Sequence, residues 1–491
     1  MKVHLIGVGG AAMGNLAAML KQTGHNVSGS DQDLYPPMSD RLKEWKIDAR
    51  PFRAASVKNK DLVIVGNAIS RGNVELEEAL RLGLPITSMA AALQQFFLKG
   101  RKVIVVAGTH GKTTTTFLID YLLSRKALTG GVARVTKKAK RSADLPGLFA
   151  GGVRADGHPG FRIPGKNNPY FVIEGDEYDT AFFDKASKFL HYRPHHLILT
   201  SVEYDHADIF SDLNHYKQAF RILLRWIPSN GTLIPCMSDA GVSDVCRDYG
   251  FSDVLGYGKK ALSHAKRSGK EVRFILKDAA GKEDLNFSCS PALIGSHNTK
   301  NATAASLVAR RCGLTEKQII QGLENFPGVV RRQQIRARNS MESLIFMEDF
   351  AHHPTAAKET LLAVRQAYPG FRIIALYEPR SATSHRNVFA TEYVDALQSA
   401  DLVLLPDVFN RKKVPSDQRL DVKKIVVELN RKGRSAKFCK DPGGVFQALK
   451  QDLNSRSKSS KSESERTMIL AMSNGGFGGI YSQIDGLVSD F

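Results

Sequence analysis

The 491-residue chain lacks long apolar runs, since none approaches the ~20 consecutive residues that a helix needs to cross a bilayer. Cysteines are few: there are five, an odd number, and no two form a C-x-x-C pair. This pattern argues against a disulfide framework and against a cysteine-based zinc site, and it predicts reduced thiols. The first residues, MKVHLIGVGG, predict a strand and a glycine turn in place of a secretory signal. We therefore expect a cytoplasmic protein without membrane insertion.

Acidic side chains are scarce relative to basic ones, with 49 Asp and Glu against 69 Lys and Arg, for a net charge of +20. This charge allows nucleic-acid binding, but it equally suits an enzyme that handles several anionic substrates. Much of the excess lies in a lysine-rich stretch within 126–144 and in a polar segment at 455–461. Both predict solvated loops, and neither has the interleaved aromatic residues of a single-strand binding platform. We expect no nucleic-acid partner.

The most informative stretch is VIVVAGTHGKTTTT at 103–116. Its apolar, β-branched start predicts a buried strand, which a glycine turn connects to a helix. Such a turn lets backbone N–H groups approach phosphate oxygens, and the helix N-terminus adds positive potential. Lys112 can reach the β- and γ-phosphates, and Thr113 can place its hydroxyl on Mg²⁺. We predict a polyphosphate site formed by Gly108, Thr109, His110, Gly111, Lys112, Thr113 and Thr114, although Val106 stands where the full motif has its first glycine.

A second glycine turn lies at the start of the chain. Gly7, Gly9 and Ala12 match G-x-G-x-x-G/A, and Asp31 closes the next strand about 20 residues on. The spacing predicts a diphosphate and a ribose at a βαβ turn, but it does not identify the nucleotide. A nicotinamide-dependent oxidoreductase therefore stays possible at this point. The polar loop 66–73 follows another apolar strand, where open α/β sheets bind ligands.

Two groups of polar residues follow strands in the middle of the chain. The segment EGDEYD (174–179) places four carboxylates at a strand end, and His206 follows the next predicted strand among further carboxylates. Downstream of a phosphate loop, these residues predict a Mg²⁺ site. Asn298 and Asn301 lie three apart at a helix start, so both amides can face one ligand. Helix 212–226 has apolar positions at helical spacing, which predicts core packing.

Strands alternating with helices recur towards the C-terminus, with polar residues just past the strand ends: DFAHHPT (349–355), EPRS (378–381) and SNGGFGG (473–479). The chain is too long for one core, so several domains are expected. We predict an α/β protein of three domains, at 1–98, 99–328 and 329–491.

The chain resembles the Mur ligases, which form amide bonds in bacterial cell-wall synthesis at the expense of ATP. The similarity rests on AGTHGKTTT (107–115), EGDEYD (174–179), HNTKNATAA (297–305) and DFAHHPT (349–355), in the family's order. It implies a Rossmann-like N-terminal domain for a UDP-sugar, a central P-loop ATPase-type domain and a Rossmann-like C-terminal domain for the amine substrate. ATP and Mg²⁺ are the implied cofactors.

Several longer stretches resemble the members that join L-Ala-γ-D-Glu-meso-diaminopimelate to UDP-N-acetylmuramate, among them 29–42, 66–73, 171–189, 378–381 and 472–480. The implied reaction passes through an acyl phosphate. The alternative within the family is the ligase that adds L-alanine to the same nucleotide. We expect a monomer or a weak oligomer that closes around its substrates.

The resemblance also implies residue roles. The implied catalytic residues are Lys112, Glu174, His206, Arg332, Asp349 and His352. Mg²⁺ would be bound by Thr113, Glu174 and His206, and the nucleotide also by Asn298, Asn301 and Arg332. The UDP-sugar would contact Gly7, Gly9, Gly10, Met13, Asp31, Ser70, Arg71 and Asn73. The peptide would contact Glu378 and Arg380.

Overall fold

The computed structural model describes residues 1–129, 144–259, 261–410, 414–457 and 466–491. Most of the lysine-rich stretch and part of the polar segment 455–461, for which loops were predicted, lie outside these ranges. Three large, mainly parallel sheets follow one another along the chain and carry helices between their strands. This architecture confirms the predicted fold class. The domain boundaries at 98 and 328 stay predictions.

The N-terminal sheet has five parallel strands in the order β3-β2-β1-β4-β5. Its strands are β1 (Lys2–Ile6), β2 (Asn26–Ser30), β3 (Asp48–Arg50), β4 (Leu62–Val65) and β5 (Ile86–Ser88), and its helices are α1 (Ala11–Gln22), α2 (Met38–Glu44), α3 (Val74–Arg81) and α4 (Met89–Leu93). From β1 the chain continues to β2 and β3 on one side of the sheet, and it then crosses to β4 and β5 on the other side. The strand order therefore reverses between β1 and β4. Ligands of doubly wound sheets bind at such a point. The glycine turn at 7–10 and the loop 66–73 follow these two strands.

The central sheet has seven strands in the order β14-β13-β12-β6-β9-β7-β8, and only the last pair is antiparallel. Its strands are β6 (Lys102–Ala107), β7 (Gly147–Phe149), β8 (Phe161–Arg162), β9 (Tyr170–Gly175), β12 (His196–Leu199), β13 (Thr232–Pro235) and β14 (Asp253–Val254). Because β6 pairs with both β9 and β12, the segments that follow these three strands meet at one edge. The helices of this part are α5 (Lys112–Thr129), α6 (Leu213–Leu224), α7 (Ala240–Val245), α8 (Ser296–Arg311) and α9 (Glu316–Glu324).

Two small antiparallel sheets accompany the central sheet. The hairpin β10 (Asp179–Ala181) and β11 (Asp184–Ser187) follows β9, and a three-stranded sheet forms from β15 (His264–Ser268), β16 (Glu271–Lys277) and β17 (Glu283–Cys289). Alternating burial along β16 shows that one face of this sheet packs on the core.

The C-terminal sheet has six strands in the order β18-β19-β23-β20-β21-β22, parallel except for β18. Its strands are β18 (Gln334–Arg338), β19 (Leu344–Asp349), β20 (Arg372–Tyr377), β21 (Leu402–Pro406), β22 (Ser435–Cys439) and β23 (Thr467–Met472). Its helices are α10 (Pro354–Ala367), α11 (Ala390–Leu397), α12 (Val422–Arg431), α13 (Pro442–Ser457) and α14 (Tyr481–Asp490). Asp349 was predicted to lie just past the strand before DFAHHPT, but it is the last residue of β19. The segments after β19, β23 and β20 are neighbours.

One buried histidine makes the central sheet sensitive to acid. His196 on β12 is 6% exposed, and its Nδ1 atom has no hydrogen-bond partner. Burial, together with the charges of His195 and Arg311, lowers the pKa of His196 to about 3 from the ordinary histidine value of 6.5. The unfolded chain therefore binds this proton between those two pH values while the folded chain does not. Folding stability is lost as the pH falls through that window.

We predict that His196→Leu flattens the acid side of the stability profile, because the apolar side chain has no proton to bind. The midpoint of thermal unfolding, measured from pH 7 to pH 4, should fall less in this variant than in the wild type. His264→Leu is the matched control, since His264 lies partly exposed on β15. Identical acid dependence of the wild type and His196→Leu would contradict the assignment.

Candidate active site

The phosphate loop connects β6 to α5 and is fixed to the segment after β12. Gly108 and Gly111 have φ values of +131° and +81°, which favour glycine. The Thr109 hydroxyl accepts from the Glu203 N–H at 2.9 Å, and the Ser201 hydroxyl accepts from the His110 N–H at 2.9 Å. The loop is thus held in shape by its neighbour, and its N–H groups stand at the N-terminus of α5.

The buried carboxylate of Glu177 joins three elements at this edge. Its Oε1 atom accepts from Lys112 Nζ at 2.9 Å, from His206 Nε2 at 2.8 Å and from the Tyr216 hydroxyl at 3.4 Å. Burial opposes the charge of Lys112, but the carboxylates of Glu177 and Glu174 prevail and raise the Lys112 pKa. Burial would likewise raise the pKa of Glu177, but Lys112 and His206 lower it. Lys112 and Glu177 therefore form a buried ion pair beneath the phosphate loop.

His206 is held in an unusual backbone conformation. Its φ of +55° lies in the left-handed region, which non-glycine residues rarely adopt. Burial lowers the pKa of its imidazole, but the hydrogen bond to Glu177 outweighs this effect and raises it. A strained backbone that brings an imidazole to a buried carboxylate is typical of a functional position.

Oxygen atoms suited to a hard cation lie on both sides of this ion pair. The Thr113 hydroxyl donates to Glu174 Oε1 at 2.9 Å, and Glu177 Oε2 is buried without a hydrogen-bond partner. Hydroxyl and carboxylate oxygens are the protein ligands that Mg²⁺ accepts. The residues present therefore fit the predicted ion. By contrast, the Asp176 and Asp179 carboxylates of the same segment are paired with Lys188 at 2.6 Å and Lys185 at 2.7 Å.

The connection into the C-terminal sheet closes the site from the opposite side. The Gln333 side-chain carbonyl accepts from Asn298 Nδ2 at 3.0 Å, and its backbone N–H donates to Asp349 Oδ2 at 2.8 Å. The Arg332 guanidinium is 3.3 Å from the Thr113 hydroxyl and 4.4 Å from the centre of the Phe350 ring. Gln333 itself has a φ of +48°. The central and C-terminal parts thus meet directly over the phosphate loop.

A cavity of about 470 Å³ lies between these two parts. It brings together most of the residues predicted for nucleotide and metal binding and for catalysis: Thr109, His110, Gly111, Lys112, Thr113, Thr114, Glu174, His206, Asn298, Asn301, Arg332, Asp349 and His352. Asn301 donates to Asn298 Oδ1 at 3.1 Å, so the two amides form a pair. Asp349 accepts from Gln333, and the carbonyl of His352 accepts from the hydroxyls of Tyr377 and Tyr393.

Comparison with known proteins identifies the family. The model described as "Mur ligase family, catalytic domain" matches residues 2–101, and the "Mur ligase middle domain" matches residues 106–309. The chain belongs to the Mur ligase family. It is 34% identical to the UDP-N-acetylmuramate–L-alanyl-γ-D-glutamyl-meso-2,6-diaminoheptandioate ligase of Escherichia coli, over 99% of this chain and 98% of that protein. The resemblance inferred from the motifs is confirmed.

Two further relatives place this Mur ligase within the family. The crystal structure of a murein peptide ligase from Psychrobacter arcticus is 28% identical, with a TM-score of 0.67, and covers 100% of this chain and 99% of its own. The UDP-N-acetylmuramate–L-alanine ligase of Clostridium tetani is 30% identical over 83% of each chain. Mur ligases are ATP-dependent enzymes, and binding of ATP in the cavity at the phosphate loop stays a prediction. Membership also removes the reason for the oxidoreductase alternative.

The residues predicted for the UDP-sugar lie apart from this cavity, at the switch point of the N-terminal sheet. The Gly9 N–H donates to Asp31 Oδ2 at 2.8 Å, so Asp31 supports the glycine turn directly. Gly10 precedes α1, and Gly7 has a φ of +90°. Met13 is only 6% exposed and packs in the core, which leaves it little surface for a ligand.

In the loop after β4, two of the three residues predicted for the UDP-sugar have side chains that already form hydrogen bonds within the protein. The Asn73 side chain caps α3 by accepting from the N–H groups of Glu75 and Leu76. The Arg71 guanidinium donates to Glu77 at 2.9 and 3.0 Å, and Ser70 is exposed. UDP-sugar binding by these residues stays a prediction.

The two residues predicted for the peptide have different surroundings. Glu378 is 1% exposed, and its carboxylate accepts from the Ser473 hydroxyl. Arg380 lies 3.5 Å from Glu378 Oε1, and its guanidinium carbon is 3.8 Å from the centre of the Phe409 ring. The Arg380 side chain is 30% exposed. Arg380 can therefore reach a ligand, whereas Glu378 is placed to orient Arg380.

Four residues of the site were not predicted from the sequence. Glu177 stood within the predicted acidic segment but was not distinguished from its neighbours. Tyr216 lies on a helix that was assigned to packing, yet its hydroxyl contacts Thr109 at 3.2 Å as well as Glu177. His353 stood in a recognised motif, and its Nδ1 atom lies 3.5 Å from Glu203 Oε2. Gln333 belongs to none of the motifs and carried no sequence signal.

We predict that Gly108→Ala weakens nucleotide binding at least about tenfold, because a loss above about 1.4 kcal/mol has that effect. An added Cβ would lie 2.3 Å from Thr200 Oγ1 and 2.7 Å from the Ser201 carbonyl oxygen, so the loop would have to move. The measurement is the ADP dissociation constant by calorimetry. Gly100→Ala is the matched control, because that glycine also has a positive φ, of +78°, but meets nothing within 4 Å. Equal affinities of the two variants would show that the loop geometry is not required.

Proposed function

We propose that this Mur ligase joins the tripeptide L-Ala-γ-D-Glu-meso-diaminopimelate to UDP-N-acetylmuramate, using ATP. The observation that carries the proposal is its end-to-end similarity to the E. coli enzyme named for that reaction, at 34% identity over 99% of the chain. The alternative is addition of L-alanine to the same nucleotide, supported by 30% identity over 83% of the chain.

In the proposed reaction the muramate carboxylate attacks the γ-phosphorus of ATP, and ADP leaves. The acyl phosphate so formed is attacked at its carbonyl carbon by the peptide α-amine. The amide bond forms as the carbonyl–oxygen bond to phosphate breaks, and the amine proton passes to solvent or to a base. One ATP gives one amide, one ADP and one phosphate. The enzyme's share of this chemistry is mostly positioning and charge stabilisation.

The residues of the cavity suit these tasks. The phosphate-loop N–H groups and Lys112 can bind the β- and γ-phosphates, and the ion pair with Glu177 holds Lys112 charged and in place. Arg332 lies beside the Thr113 hydroxyl, so its charge can stabilise the phosphoryl group in transfer. Asn298 and Asn301, paired on α8, offer amide groups for the adenine.

Thr113 and Glu174 would hold one Mg²⁺, and His206 with the free oxygen of Glu177 would lie close to a second. A bound Mg²⁺ neutralises phosphate charge and orients the γ-phosphoryl group. The phosphate-loop N–H groups and the side chains of Lys112 and Arg332 would supply the remaining charge stabilisation.

The UDP-sugar and the tripeptide would bind at the strand ends of the N-terminal and C-terminal sheets. The switch point between β1 and β4 offers backbone N–H groups for the UDP diphosphate. The C-terminal strand ends offer Arg380, which a carboxylate of the tripeptide can engage bidentately. L-Alanine brings one carboxylate and the tripeptide several, so a guanidinium supported by Glu378 and Phe409 favours the larger acceptor.

The choice between the two acceptors is tested by phosphate release from ATP in the presence of UDP-N-acetylmuramate. We expect release with the tripeptide and little release with L-alanine at the same concentration. Release with L-alanine alone would assign the chain to the alternative reaction. Mass spectrometry of the nucleotide product identifies which amine has been added.

We predict that Arg380→Ala raises the KM for the tripeptide at least about tenfold, since loss of a charged hydrogen-bonding partner costs more than about 1.4 kcal/mol. The KM values for ATP and UDP-N-acetylmuramate should stay near those of the wild type. Arg380→Lys should recover little, because an ammonium cannot pair bidentately. Arg310→Ala, which breaks a surface pair with Asp284 at 2.9 Å, is the control. An Arg380→Ala effect on the ATP KM instead would place Arg380 elsewhere in the reaction.

A further inference from the structure

Three side chains that the proposed chemistry does not use meet at the edge of the nucleotide cavity, which two of them line. They are His110 on the phosphate loop, Glu203 after β12 and His353 immediately before α10, and we term them the His-Glu-His cluster. One ligand atom from each lies within 4.8 Å of the other two. Among the residues that the structure describes, no other group of histidine, cysteine and carboxylate side chains meets this condition.

The separations within the cluster fit a tetrahedral metal ion. His110 Nε2 and His353 Nδ1 lie 3.3 Å and 3.5 Å from Glu203 Oε2. Zinc–ligand bonds of about 2.0–2.1 Å place neighbouring ligands about 3.3 Å apart in a tetrahedron. Two of the three separations therefore already have the required length. The third separation, between the two histidine nitrogens, is at most 4.8 Å, so the two imidazoles would have to move closer to bind one ion.

Burial and hydrogen bonding prepare these groups for a metal. His353 is 4% exposed; its Nδ1 atom, which faces Glu203, also accepts from the Thr355 N–H at 3.3 Å, and its Nε2 atom has no hydrogen-bond partner. The Thr355 hydroxyl donates to Glu203 Oε2 at 2.6 Å and fixes the carboxylate, the kind of support that metal ligands have.

We propose that His110, Glu203 and His353 bind a divalent transition-metal ion, best matched by Zn²⁺, which ties the phosphate loop to the C-terminal part of the ligase. Two imidazoles and one carboxylate are borderline donors that favour Zn²⁺, whereas Mg²⁺ prefers oxygen alone. The proposed site shares no residue with the predicted Mg²⁺ ligands Thr113, Glu174 and His206. Three protein ligands leave the fourth position open to water or to a substrate oxygen.

The test uses Co²⁺ as a coloured substitute for Zn²⁺ on the full-length, chelator-treated protein, with Mg²⁺ in excess. We expect one equivalent of Co²⁺ to give the intense visible absorption of four-coordinate cobalt, and Zn²⁺ to displace it. His353→Ala and Glu203→Gln should each weaken Co²⁺ binding at least about tenfold, because loss of even an outer-shell partner costs about 10–100-fold. His264→Ala should bind as the wild type does.

His206→Ala separates this site from the magnesium site. The proposal requires that the cobalt spectrum persists in His206→Ala and disappears in His353→Ala. The proposal would be overturned if the spectrum disappeared in His206→Ala and persisted in His353→Ala. A six-coordinate spectrum, or no binding of Co²⁺, would also overturn it. Because the buried His353→Ala variant could fail to fold, His110→Ala serves as a second variant at a partly exposed position. Zn²⁺ should raise the midpoint of thermal unfolding of the wild type but not of His110→Ala, and an equal rise in both would also overturn the proposal.

Discussion

The buried carboxylate of Glu177 is the interaction on which the rest of the active site depends. It is shared by the lysine of the phosphate loop, the histidine after β12 and a tyrosine of α6. An unpaired charge at 1% exposure would be costly, and Lys112 would lose the partner that keeps its ammonium charged. One side chain after β9 therefore sets the position of groups from two neighbouring segments. The order β9-β6-β12 is what makes this sharing possible.

The site is completed by a second half, which the C-terminal sheet supplies. Gln333 links the Asn298 amide to Asp349, while Thr355 and Thr383 donate to Glu203 and Asp205 on the central side. These contacts are hydrogen bonds between polar groups, so they depend on geometry more than on buried area. A seam of hydrogen bonds of this kind can open and re-form, as an enzyme with three substrates requires. The His-Glu-His cluster lies on the same seam.

Much of this arrangement could be predicted from the residues. Most of the polar motifs follow apolar, β-branched runs, and parallel strands bring such segments to one edge. The phosphate loop, Glu174 and His206 were predicted in this way. The sequence could not show which strands are neighbours. It therefore could not show that Asp176 and Asp179 pair with lysines while Glu177 turns inward. The roles of Gln333 and Tyr216 could not be predicted for the same reason, because these roles arise from tertiary contacts.

The most direct test of the account follows an oxygen atom. UDP-N-acetylmuramate labelled with ¹⁸O in both carboxylate oxygens is incubated with ATP, the tripeptide and this ligase, and the products are examined by mass spectrometry. The account predicts one ¹⁸O in each phosphate released and one in the new amide, because a carboxylate oxygen bridges to phosphorus in the acyl phosphate. Release of phosphate without label, while amide is formed, would contradict it.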